Sequence, residues 1–117
     1  MAEQSYLLEY LSQVEKIAID DNTDISAFYR HNQPTNEDAI KRKDVLDRTE
    51  HRVKQLISLK EHANSKQKDV DNQRRRTKDI QLQIAFSSEI NTLKIIISKI
   101  EHMISYMKDF LKNNGRG

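Results

Sequence analysis

Cysteine and tryptophan are absent from this 117-residue chain, proline occurs once, and both glycines, Gly115 and Gly117, lie at the C-terminal end. Without cysteine there can be no disulfide, no thiolate zinc site and no thiol nucleophile. Without glycine over residues 1–114 there is no residue that freely takes positive φ, which the many tight turns of a sandwich, barrel or doubly wound sheet demand. Phosphate loops, dinucleotide fingerprints and nucleophile elbows need interior glycine and are excluded with them. Long apolar runs are missing too. The longest purely aliphatic stretch is Ile95-Ile96-Ile97, far short of the roughly 20 residues that span a bilayer, and no basic segment followed by an apolar one opens the chain as a secretion signal would.

What remains is 36% hydrophobic and 32% charged, with a net charge of +2. The chain is polar but retains enough Ile, Leu, Phe and Tyr to bury a core. The composition predicts an all-α fold, an elongated antiparallel bundle or hairpin of three helices within one domain, residues 1–117. An intracellular, cytoplasmic protein is expected, and Asn113-Asn114-Gly115-Arg116-Gly117 reads as a linker as readily as a natural end.

Charge is unevenly placed. Residues 1–35 hold two cations against six acids, a net −4, whereas residues 64–79 hold six cations against three acids, a net +3. The two segments could attract one another. Leu7, Leu11, Val14 and Ala18 recur at helical spacing, widened by Tyr10 and Ile17, and predict a helix over 3–19. Asp20-Asp21-Asn22-Thr23-Asp24 are poor helix formers and end it, leaving a connection over 20–35 in which Ile25, Ala27, Phe28 and Tyr29 form an apolar island that should pack down. Thr35, followed by Glu37 and Asp38, is a good N-cap, and a second helix is expected over 36–63. Its seam, Leu46, Thr49, Val53, Leu56, Lys60 and Ala63, is imperfect. Over 64–79 Val70 is the only apolar residue, so 64–73 reads as a polar turn or solvated shaft.

The third helix, 74–113, carries the strongest signal. Ile90, Leu93, Ile97, Ile100, Ile104, Met107 and Leu111 alternate by three and four residues, and Ile96, Met103 and Phe110 add a second column. The helix is coiled-coil-like, but its apolar face is wider than a two-stranded seam requires, so it asks for at least two neighbouring helices. The register of the 46–63 seam does not continue into it, which favours a turn between them over one helix of about 117 Å from 36 to 113. Ile95, on the other side of the helix from Ile97 and Ile100, lies off the seam.

No residue is assigned a catalytic role, and no metal or cofactor is expected. Asp20, Asn22 and Asp24 match the opening of a calcium loop, but Ile25 and His31 stand where glycine and a bidentate glutamate belong. His31, His51, His62 and His102 have no metal-ligand spacing. The seven seam residues are the expected partner-binding surface, toward a second copy or other helical proteins. The expected function is a non-enzymatic interaction module: a scaffold, adaptor or tethering subunit. The alternative is nucleic-acid binding through Lys66, Lys68, Arg74, Arg75, Arg76 and Lys78. Three consecutive arginines fan around a helix, however, and no aromatic lies beside them in sequence for base stacking. In helix order alone, a short helix before two longer antiparallel ones resembles trafficking and tethering proteins, including the N-terminal three-helix domains of syntaxin-type fusion proteins. That resemblance implies a docking role.

Overall fold

The computed structural model of the chain describes residues 5–117, which form three α-helices: α1 (Ser5–Arg30), α2 (Asn36–Arg76) and α3 (Ile80–Asn113). The described residues contain no strand. The molecule measures 66 × 26 × 14 Å along its principal axes, which excludes a single 36–113 rod. Helices α2 and α3 form an antiparallel hairpin. Helix α1 lies along it, parallel to α3: Tyr6 donates a hydrogen bond to Glu89 at one end, and the rings of Phe28 and Phe110 meet edge-on at 5.1 Å at the other.

Helix α1 runs through the expected connection to Arg30. Local propensity is overruled there by tertiary contacts. Asp21 and Asp24 both face α2, where Arg52 lies 3.4 Å from Asp21 and 2.7 Å from Asp24, and Thr23 bonds back to the Ile19 carbonyl at 3.1 Å. The apolar island packs down as expected, but as helix: Phe28 is buried and Ile25 half-buried. The true connection is residues 31–35, where the Gln33 N–H donates to Asp38 at 3.0 Å and Arg42 donates to the His31 and Gln33 carbonyls. Thr35 caps α2, accepting from the Asp38 N–H at 3.1 Å.

The turn of the hairpin sits at residues 77–79, later than the polar segment 64–73, which is helical, and Arg74–Arg76 belong to the end of α2 rather than the start of α3. Two things carry α2 across its polar stretch. Ala63 and Val70 continue the buried seam seven residues apart, and the three arginines of the last turn complement the negative end of the helix dipole. The turn also explains how the chain reverses without glycine. Thr77 and Asp79 are both extended, at φ −86° and −76°, and among the described residues only Gly115 has positive φ. Asp79 then caps α3, accepting from the Gln81 N–H at 2.9 Å and the Leu82 N–H at 3.4 Å.

The core is one continuous cluster. Val14 from α1, Leu56 from α2, and Leu93, Ile96 and Ile100 from α3 are almost wholly enclosed. The wide apolar face of α3 finds its two neighbours within the chain.

Candidate interaction surfaces

Of the seven seam residues, Ile90, Leu93, Ile97, Ile100, Met107 and Leu111 are buried and Ile104 is half-buried. The face that the sequence marks most strongly is therefore covered by the chain's own α1 and α2. The second column follows it: Ile96 and Phe110 are buried, Met103 partly so. Only Ile104 and Met103 keep partial exposure while the bundle is closed.

The basic residues of 66–78 do not gather into one patch. The Lys66 ammonium lies 4.8 Å from the centre of the Tyr6 ring, a cation–π contact. Arg74 and Arg75 both pair with Asp71, at 2.6 and 3.1 Å. Lys68, Arg76 and Lys78 are exposed. The expected attraction between the acidic first segment and this basic one is not what holds α1. Its acids pair lower on α2, with Arg48 and Arg52.

That ion-pair group is the chief polar feature of the interior. Arg52 and Asp21 are buried, 7% and 3% exposed, and Asp24 takes both Arg52 and Arg48, the latter at 2.9 Å. Burial pushes the Asp21 carboxyl above its ordinary value, and the nearby Arg52 only partly offsets this. At Asp24 burial acts the same way, but hydrogen bonds from Arg48 and Arg52 outweigh it and hold the carboxyl below the usual range. Among the described residues, Asp21 Oδ1 and Arg52 Nε find no hydrogen-bond partner. Asp20, Asn22 and Asp24 thus lie on a continuous helix, with Asp24 engaged by guanidinium groups, and this is not the geometry of a calcium loop. His31 pairs with Asp38 at 3.3 Å, while His51, His62 and His102 are exposed on α2 and α3. No metal-capable group of three or more His, Asp or Glu occurs among the described residues. No described helix is long and apolar enough to cross a membrane.

One surface escaped the sequence reading. Ile84, Ile95 and Tyr106 on α3 are exposed by 65%, 66% and 58%. Each is eleven residues from the next, which on an α-helix turns the position by only about 20°, so the three stand nearly in line. Ile80, at the start of α3 and about 40° to one side of Ile84, is also exposed. Around this line stand Ser88, Asn91, Ser98, Lys99, His102 and Asp109, with two full charges, one of each sign, on a chain that is 32% charged. His102 and Tyr106, with Ala18 and Asn22 of α1, also border a shallow cavity of about 340 Å³, so the stripe adjoins the α1–α3 groove. The sequence signal was the eleven-residue recurrence, hidden behind the richer three-four seam. For the ion pairs it was opposite charges at helical spacing, Asp21/Asp24 and Arg48/Arg52, on successive helices.

Compared with known protein families, curated proteins and solved structures, the chain matches none of them. The likeness to syntaxin-type three-helix domains therefore rests on helix order alone, and α1, at 26 residues, is longer than that likeness assumed.

Proposed function

We propose that the protein is a non-enzymatic helical interaction module, a scaffold, adaptor or tethering subunit of an intracellular assembly, which engages helical partners through the outer face of α3. The observation that carries this reading is the aligned, exposed and charge-poor stripe Ile84–Ile95–Tyr106. Single exposed apolar residues are ordinary on protein surfaces, but these three share one line of the helix at steps of about 16 Å, with short polar side chains between them. Helix-in-groove and helix-on-helix recognition read anchors of this kind. The seam of α3 supports the reading in a different way: it holds the bundle rigid, so the outer face is presented as a preformed surface.

The test compares wild type with Ile95→Asp as bait, at low and at physiological salt. Capture of a helical protein that tolerates salt and is lost with Ile95→Asp supports the reading. The competing outcome is RNA or DNA binding that falls steeply with salt and is abolished by Arg75→Glu, Arg76→Glu and Lys78→Glu, with Ile95→Asp harmless. That result would replace an interaction module with a nucleic-acid-binding protein.

A further inference from the structure

We propose that the tip of the α2–α3 hairpin docks end-on to an anionic membrane surface. The docking end shares only Ile84 with the α3 stripe. Ile80, Leu82 and Ile84 are exposed by 70%, 46% and 65% and lie within about 6 Å of helix axis, at one end of a molecule 66 Å long. Their arrangement decides what can cover them. Ile80 and Ile84 are about 40° apart around α3, whereas Leu82 is turned about 160° from both. A single partner helix laid along the tip covers one flank and leaves the other wet. A bilayer surface encloses both. The depth agrees as well, since interfacial apolar groups sink about 5–10 Å into the boundary between headgroups and acyl chains.

Charge selects an anionic surface. Lys68, Arg74, Arg75, Arg76 and Lys78 surround the tip, against Asp69, Asp71 and Asp79. Asp71 is shared by Arg74 and Arg75 and Asp79 caps α3, while Lys68, Arg76 and Lys78 are exposed and held by no ion pair. The three arginines fan over about 200° of α2. Such a fan offers no one-sided stripe to a nucleic-acid backbone, but a plane of headgroups surrounds the end and meets it in every direction. The long stems lie along the apolar side chains and keep the charged heads among lipid phosphates and carboxylates. Exposed aliphatic residues add nothing to phosphate-backbone binding, which rests on charge, so they favour the bilayer. No described helix is long and apolar enough to cross a membrane, and the contact is with one leaflet. Aliphatic anchors and a basic ring together give reversible binding that neither gives alone.

Vesicle flotation of the full-length chain tests this, with phosphatidylcholine alone and with phosphatidylcholine and phosphatidylserine in equal parts. The chain is expected to float with the mixed vesicles only, and less so as salt rises. Ile80→Asp and Leu82→Asp, on opposite flanks, should each lower partition at least about tenfold. Arg76→Glu combined with Lys78→Glu should do the same. All three are exposed-site changes, and circular dichroism should show them folded. A chain without cysteine also lets depth be read from an environment-sensitive fluorophore. On Gln81→Cys it should shift to the blue with mixed vesicles, and on Ser98→Cys it should not. Failure to bind the mixed vesicles overturns the proposal, as does binding that ignores Ile80→Asp and Leu82→Asp. A blue shift on Ser98→Cys overturns it too, because the chain then lies on its side. Capture of RNA or DNA by a chain that leaves the vesicles untouched assigns the tip to nucleic acid instead.

Discussion

The two ends of the hairpin are built on different principles. In the body, where α1 lies against α2 and α3, three helices share Leu93, Ile96, Ile97, Ile100 and Phe110 among them. In the tip, beyond the level where Tyr6 meets Lys66 and Glu89, α2 and α3 continue as a pair with Val70 as the buried apolar residue of α2, while Ile80, Leu82 and Ile84 are exposed. The body is stabilised by area removed from water. The tip is stabilised by terms that act along the helix: the Asp79 cap, three arginines at a helix C-terminus, and the cooperativity of a helix already nucleated below. A helix does not need an amphipathic face over its whole length if one part of it is anchored.

Substitutions can break this contrast. Outside the α3 seam, the largest expected effect is Arg52→Ala in the body. It strands Asp21 in the interior and removes a partner of Asp24, and breaking a buried ion pair costs about 3–5 kcal/mol. Urea unfolding should show it, and a change below about 1 kcal/mol would mean that water reaches the pair. In the tip, Val70→Ala should cost about 2 kcal/mol, from two lost methyl groups and the cavity they leave. Hydrogen exchange should place the added opening at the tip amides rather than in the body. Asp79→Ala should cost about 1 kcal/mol and fray the first turn of α3. Smallest of all, Arg74→Glu, Arg75→Glu and Arg76→Glu should leave helix content by circular dichroism nearly unchanged, each costing less than about 1 kcal/mol, because screened dipole and surface ion-pair energies are of that size. Loss of most of the helical signal would show that the tip depends on these arginines for more than local electrostatics.

Legibility in the sequence followed the same division. Where burial decides structure, the pattern of residues announced it: the three-four seam of 90–111, its second column, and the need for two neighbours are all present in the fold. The cap at Thr35 was equally plain, because a single side chain and its position suffice. What the sequence concealed were the places where a distant partner overrules local preference. Asp20–Asp24 read as a helix stop until Arg48 and Arg52 are brought opposite them. Residues 64–73 read as a turn because polarity looks the same in a solvated helix and in a loop. The surface stripe was obscured for another reason. Exposed apolar residues gain meaning only once the fold shows which face is outward, and Ile95, read from the sequence as merely off the seam, lies at the centre of that face.

Two isoleucines, two residues apart on α3, separate the inner face of the helix from the outer one. Ile97 is 8% exposed within the core and Ile95 is 66% exposed on the outer face. Thermal melting by circular dichroism of Ile97→Asp and Ile95→Asp, measured side by side in dilute solution, reads the difference directly. An unpaired carboxylate in the core costs several kcal/mol, a large share of the total stability of a small domain, so Ile97→Asp should lose its cooperative transition. Ile95→Asp should melt within about 0.5 kcal/mol of wild type. Equal destabilisation by the two substitutions would contradict the assignment of inner and outer faces, and with it the surface proposed for binding.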